Sequence, residues 1–297
     1  MSKLVIIIIS IFLIFIISIF YFLPRGTIHF VNSGNSNFSL TDENQMQFYP
    51  NMRFANSNIS YRISNCTLKK QNDMQSAFSI IENITLLNFY PTNSNEEIFV
   101  TCDEKLKSEG NLFIAGEGGP TSIISAGNFN VILKGRILLI KKSDCPTPNV
   151  AIHELFHVLG FEHSLNKNNV MYNITDCSQT IGDDVVSLLN KLYSVQSYPD
   201  LAFGNVSAVM NGMFLDINMS VMNEGLQNSK ESVILIYSNE NLLKEINLEP
   251  LDIGKGKLIS IQNIFVLEKT DLIELTINSS YEEISKENNK IKLEIKN

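Results

Sequence analysis

Histidine is scarce in this chain, four in 297 residues, and three of the four fall between positions 153 and 163. The segment reads His153-Glu154-Leu155-Phe156-His157-Val158-Leu159-Gly160-Phe161-Glu162-His163. His153 and His157 are one helical turn apart, so both imidazoles project from one face and can grip one ion. Val150, Leu155 and Val158 give that helix apolar surface for packing, Thr147 is placed to cap it, and Pro148 suits its first position. Gly160 stands where helices are commonly ended by a left-handed residue, a conformation glycine adopts at little cost. The chain then turns back, and His163 can reach the same ion. Three neutral imidazoles leave one tetrahedral position open for water, the arrangement of a catalytic zinc. Glu154 is not needed as a ligand and is placed to take a proton from that water. The alternative is a surface helix that carries histidines by coincidence. With only His29 outside the motif, coincidence is a poor account of the full pattern.

Leu4 to Leu23 reads LVIIIISIFLIFIISIFYFL and carries no charge. Twenty residues of helix span about 30 Å, the thickness of a hydrocarbon core. Tyr21-Phe22-Leu23 occupies the place where a small-residue cleavage site would be, so residues 1–25 are expected to form an uncleaved signal anchor. If the segment were cleaved instead, the chain would be secreted. Both readings put the remainder outside the cytoplasm. Lys plus Arg number 23 against 31 Asp plus Glu, a net charge of −8, which gives no long-range attraction for phosphate backbones, so no nucleic-acid partner is expected. Cys66, Cys102, Cys145 and Cys177 contain no C-x-x-C pair, and a dispersed even number suits two disulfides in an oxidising compartment.

Residues 26–52 are polar, with Asn, Ser and Gly clustered at 32–37, and read as a linker. From 53 to 197 the patterning is mixed. Ile59, Tyr61 and Ile63 alternate as in a half-buried strand, and Met74, Ala77, Phe78 and Ile81 form the stripe of an amphipathic helix. Ile98-Phe99-Val100 and Ile137 to Ile140 are short apolar runs that predict buried strands. Gly116 to Pro120 predicts a loop between strands, with no phosphate-binding pattern. Val185, Leu188, Leu189 and Leu192 give a further helix, opened by Asp183 and Asp184 at its positive end. After Tyr198-Pro199 the pattern changes to short alternating strands separated by turn signals, which predicts an all-β sandwich over 202–297.

H-E-x-x-H-x-x-G-x-x-H is the metzincin zinc motif, and His163-Ser164 with the downstream Val170-Met171-Tyr172 resembles the matrixin subgroup. Ile59 to Ile63, the helix after it, Ile84 to Phe89 and the helix from Asp183 to Tyr193 are similar to further matrixin elements. The resemblance implies an α+β metzincin (zincin-like) catalytic domain over 53–197, a mixed twisted sheet with two main helices, a cleft above and a small lower subdomain. It implies His153, His157 and His163 as zinc ligands, Glu154 as general base and Met171 as the floor of the site. Structural calcium enters with the resemblance, and neither Glu117 nor Asp183 can be assigned to it. The second zinc of vertebrate-type matrixins lacks histidines here, and the cysteine switch of their prodomains is missing. Pairing Cys66 with Cys102 and Cys145 with Cys177 is one of three connectivities, and its second bridge would bracket the zinc helix and the Met-turn. Residues 202–297 resemble the CARDB group of Ig-like modules, through Val221 to Gly225, the strand run at 232–237 and Glu287 to Lys290.

The function these readings imply is a membrane-anchored zinc metalloendopeptidase outside the cytoplasm, with one catalytic zinc and a protein or peptide as substrate. The sandwich would serve as a spacer, or bind an envelope component. The competing reading is a surface adhesion or structural protein whose protease-like domain is inactive or processes only itself. A zinc hydrolase acting on a non-peptide amide shares the same ligands.

Overall fold

In this computed structural model, described residues are 35–40, 45–103, 107–109, 112–140, 144–267, 270 and 272–295, and those from Ser33 onward belong to one compact unit. The expected anchor and His29 lie outside the described residues. Among the described residues no helix is long and apolar enough to cross a membrane.

The first sheet takes the strands β1 (Met52–Phe54), β2 (Asn58–Ser64), β3 (Asn88–Pro91), β4 (Ile98–Cys102), β7 (Gly116–Ala126) and β8 (Phe129–Leu139). Its order is β1-β8-β4-β2-β3, with β7 on the opposite side of β8. All pairings along that path are parallel, and β7 alone runs antiparallel. A short hairpin of β5 (Lys107–Glu109) and β6 (Leu112–Ile114) precedes β7. Helix α1 (Leu68–Ile84) packs on the sheet through Met74, Ala77, Phe78 and Ile81, the residues of the predicted stripe, all buried. Phe78 lies between Tyr61 and Phe89, with ring centroids at 4.2 and 4.7 Å. Helix α2 (Asn149–Val158) is buried along its whole length, against β7, β8 and α1. Helix α3 (Asp183–Ser194) buries Val185, Leu189, Leu192 and Tyr193, and carries Asp183 and Asp184 in its first turn, where acidic side chains complement the helix dipole.

Three local expectations are corrected. Gly116 to Pro120 is the first half of β7, not a loop, because its backbone completes the ladder to Leu139 through Gly135. Glycine depresses strand propensity, but here β7 runs so close to α2 that a side chain would not fit, and packing overrides propensity. Thr147 does not cap α2: the Asn149 amide bonds to the Thr147 carbonyl, and Pro148 takes the cap position with no side-chain bond. The stretch 26–52, expected as a linker, is packed where it is described. The Phe38 amide donates to Asp184 at 2.7 Å, the Ser39 amide to Ser164 at 3.0 Å, and the Glu162 amide to the Met46 carbonyl at 2.9 Å. Polar composition did not leave this segment solvated, because its Asn and Ser groups and backbone find partners on residues 160–184.

Disulfides join Cys66 to Cys102 and Cys145 to Cys177. The first ties the entry to α1 to the end of β4. The second ties the approach to α2 to the segment beyond Met171.

The remaining strands form two antiparallel sheets. One has the order β13 (Gly256–Phe265), β10 (Phe214–Asn223), β9 (Leu201–Asn211), and the other β12 (Asn241–Leu248), β11 (Ser232–Ser238), β14 (Leu272–Asn278), β15 (Lys290–Glu294). Their inward residues share one core, with Leu215, Ile217, Met219 and Val221 facing Ile234, Ile236, Ile273 and Leu275. Alternation of buried and open positions along β10 explains why this strand was legible, whereas β11 buries Ile234 and Ile236 and not the alternating Val233, Leu235 and Tyr237 that its sequence suggested. A smaller cluster of Ala126, Val131 and Leu226, with Ile253 and Ile284, joins the β7–β8 hairpin to the loops at one end of this sandwich.

Arg53 ties β1 to the end of α3. It is only 1% exposed, yet its guanidinium donates to the carbonyls of Leu192 and Val195 at the end of α3 and stacks on Tyr193 at 4.5 Å. A cation placed against helix C-terminal carbonyls meets acceptors that the helix itself cannot satisfy. Arg53→Leu would leave those carbonyls buried and unmet, and is expected to cost about 3 kcal/mol in urea unfolding.

Candidate metal centre

His153 and His157 sit on the face of α2 that looks toward the turn after Gly160. Gly160 has a φ of +95°, a conformation that ends the helix and sends the chain back. A side chain there would also meet Met52 at 2.8 Å. The return path carries His163 to the helix. The three Nε2 atoms lie 3.2 Å (His153 to His163), 3.0 Å (His153 to His157) and 3.1 Å (His157 to His163) apart.

The other ring nitrogens fix the tautomers. Nδ1 of His153 donates to the Val170 carbonyl at 2.7 Å, and Nδ1 of His157 to the Phe161 carbonyl at 2.8 Å. A carbonyl can only accept, so the proton resides on Nδ1 and each Nε2 presents a lone pair to the centre. Converging lone pairs at this distance repel unless a cation lies between them. Tetrahedral nitrogens around zinc stand about 3.3 Å apart, given a bond of about 2.0–2.1 Å, and the trio fits that spacing. The carbonyls supply the outer support that metal-binding histidines need.

Burial favours the neutral, ligating form. It lowers His153 to about 4 and His157 to about 3, and it lowers His163, which is more open to solvent. Among the described residues this trio is the one group of three or more His, Cys, Asp or Glu side chains close enough to hold an ion. Glu117 and Asp183 are not brought together: Glu117 is on β7, and Asp183 opens α3. Met171 is completely buried, its amide bonded to Asn169 and its carbonyl to the Ser164 amide. The turn around it therefore delivers the Val170 carbonyl to His153 and anchors the residue after His163.

Glu154 follows His153 on α2 and is 5% exposed. Burial raises its carboxyl to about 8, with Glu117 adding a like charge. A carboxyl poised near neutral pH can both take and return a proton. Its position depends on Gly116 and Gly118. A side chain at Gly116 would meet the Glu154 carboxyl group at 2.7 Å, and one at Gly118 would strike the Glu154 backbone carbonyl. These two glycines were not singled out as functional from the sequence, where a Gly-x-Gly step inside a strand was the available signal. The supporting carbonyls of Val170 and Phe161 carry no side-chain signal at all. Phe48, stacked 6.1 Å from His157, was likewise missed. Above the site β7 pairs with β8 on one side only, among the described residues, so its other edge presents unpaired backbone.

Two outcomes follow for the protein freed of any metal. His153 and His157 titrate near 4 and 3 when folded against 6.5 when unfolded, so acidification below about 6.5 loads protons on the unfolded chain and lowers stability. Glu154 acts in the opposite sense, near 8 folded against 4.5 unfolded, so raising the pH through that window favours unfolding. Two imidazoles outweigh one carboxyl below about pH 6.5, and above it Glu154 acts alone. Stability should peak near pH 6.5 and fall by roughly 2 kcal/mol toward pH 8, a fall that Glu154→Gln removes. Urea titrations at three pH values check this. Gly118→Ala should separate β7 from α2 and cost about 1–3 kcal/mol, measured the same way.

Residues 53–194 match the family model Peptidase_M10, matrixin. No curated protein sequence matches the chain. Among solved structures, high choriolytic enzyme 1, a hatching enzyme zinc-protease from the medaka fish Oryzias latipes, is similar at 20% identity and a TM-score of 0.23, over 43% of this chain and 55% of that one. Myroilysin is similar at 16% identity and a TM-score of 0.23, over 37% of this chain and 52% of that one. The chain thus spans about half the length of these two proteins. The CARDB domain of a Pyrococcus furiosus protein, solved with di-metal ions, is similar at 18% identity and a TM-score of 0.29, over 33% of this chain and 87% of that one. On the family match, residues 53–194 of this chain are matrixin-like.

Proposed function

We propose that this chain is a zinc-dependent endopeptidase, anchored in the membrane by residues 1–25 and acting outside the cytoplasm. The observation that carries the catalytic reading is the convergence of three Nε2 atoms on one point, two of them presenting lone pairs, with Glu154 on the same helix and packed against β7. The matrixin match over 53–194 supports it. The placement rests on the uncharged run Leu4 to Leu23 and is supported by two disulfides, which persist in oxidising compartments.

His153, His157 and His163 would hold zinc through Nε2. Bound there, zinc would lower the pKa of a coordinated water to about 7 and polarise the scissile carbonyl. Glu154 takes the proton of the attacking water and returns it to the leaving amide nitrogen. Its buried setting suits both steps, since its carboxyl titrates close to neutrality. The free edge of β7 offers amides and carbonyls to an extended peptide, which adds to the sheet as a further strand and is held along the site. Extended backbone pairing selects polypeptides over small amides, which is why a peptide bond is the proposed target.

Glu154→Ala should retain one zinc per chain and lose at least about a hundredfold in cleavage of a quenched peptide library. His163→Ala should lose its zinc on dialysis against a mild chelator. Cleavage by Glu154→Ala at the parent rate would remove the general-base role. Stoichiometric zinc with no cleavage by the parent chain would support the adhesion or structural reading.

A further inference from the structure

The face of the first sheet turned away from α2 carries a cluster of cations that the reaction does not use. Gly135 faces α2, where a side chain would strike Val158, so its neighbours Lys134 and Arg136 face the opposite way. Strand register then builds a row across four strands: Arg62 on β2 is opposite Phe99 on β4, Phe99 is opposite Arg136 on β8, and Arg136 is opposite Gly119 on β7. The row floors a cavity of about 560 Å³, walled by Glu96, Thr121 and Lys134. That volume is in the range of ligand sites.

The donors in this cavity exceed the acceptors. Glu96 is taken up by Arg62, at 2.6 Å, and that guanidinium lies 4.6 Å over the Phe99 ring. The Nε of Arg62 is buried with no hydrogen-bond partner. Lys134 donates to the backbone carbonyls of Asn95 and Glu96. Arg136 is exposed and has no ion-pair or hydrogen-bond partner among the described residues. Three cations against one committed carboxylate leave local positive charge in a chain whose net charge is −8. An occupant must therefore bring acceptors and negative charge, and a carboxylate matches a guanidinium fork in shape as well as sign.

The open end of the cavity indicates where that carboxylate comes from. Gly119 has nothing within 4 Å of where a side chain would begin, so the row is unobstructed from Arg136 to the edge of β7. A polypeptide paired with that edge would direct alternate side chains over this same face. We infer that the cavity lined by Arg62, Phe99, Lys134 and Arg136 binds acidic side chains of the polypeptide laid along β7, so that substrates with Asp or Glu beside the paired stretch are preferred. This inference rests on the endopeptidase reading for its occupant, while the binding itself requires neither zinc nor Glu154.

The test uses the full chain carrying Glu154→Ala, chosen to slow consumption of the probe, and two fluorescent peptides that differ only in three Glu residues replaced by Gln. Anisotropy should show saturable binding of the Glu peptide, at least about tenfold tighter than the Gln peptide and weakened by about 0.5 M salt. Arg136→Glu should abolish that preference. Thr121→Glu, which places a carboxylate on the opposite wall, should do the same by an independent route. Equal binding of the two peptides, or a preference that survives both substitutions, would overturn the proposal. Displacement of the Glu peptide by an equal concentration of inorganic phosphate would overturn it too, by making this a small-anion site. Charge-dependent binding with no cleavage of any peptide would sink the endopeptidase reading and keep the site. Cleavage with no charge-dependent binding would do the reverse.

Discussion

The catalytic domain is organised around the repulsion it must contain. Three imidazole nitrogens face one another within 3.2 Å, and two of them are held there by backbone carbonyls that fix the proton on the far side of the ring. Neither carbonyl belongs to the ligand helix. Phe161 lies on the returning turn after Gly160, and Val170 on the turn before Met171. Helix, turn and Met-turn must therefore be correctly packed before the lone pairs can meet. The Cys145–Cys177 disulfide, which closes the chain around this same assembly, limits how far its parts can separate.

The second constraint is the close approach of β7 to α2. Without side chains at Gly116 and Gly118, the strand lies directly against Glu154 and buries its carboxyl. That burial raises the affinity of Glu154 for a proton. Among the described residues the same strand leaves one edge unpaired. At its far end the β7–β8 hairpin meets the C-terminal sandwich through Ala126, Val131 and Leu226. One strand thus connects Glu154, the unpaired edge and the second domain. Its register also sets Gly119 beside Arg136, which leaves the cationic cavity open toward that edge.

Strong periodicity was legible. The stripe of α1 and the alternation in β10 bury the residues that their spacing singled out, because helices and strands with one buried face must repeat at 3.6 or 2. In α3 Val185, Leu189 and Leu192 are buried and Leu188 is half-buried. In β11 the period was right and the face wrong: the expected Val233, Leu235 and Tyr237 are half-buried, and Ile234 and Ile236 face the core, because both faces of that strand are apolar. Where periodicity was absent the reading went astray. Gly116 to Pro120 resembled a loop because glycine and proline are turn formers, whereas in the fold a neighbouring helix required the smallest residues in a strand. Thr147 resembled a cap because its side chain is of the right type, while the backbone before α2 takes another path. The polar stretch before β1 resembled a linker because its composition is soluble, yet its described residues bond to Asp184, Ser164 and the turn after Gly160.

By itself the sequence determined the donor set. The spacing of His153 and His157, the glycine at 160 and the histidine at 163 are local facts, and a helix of fixed pitch ended by a positive-φ turn converts them into one site. Tertiary structure alone decided what surrounds that site. The carbonyls that orient the rings, the glycines that admit β7 and the strand register that aligns Arg62, Phe99 and Arg136 all join residues distant in the chain. Backbone carbonyls are the same in every residue, and register depends on which strands pair, so neither is written in local sequence.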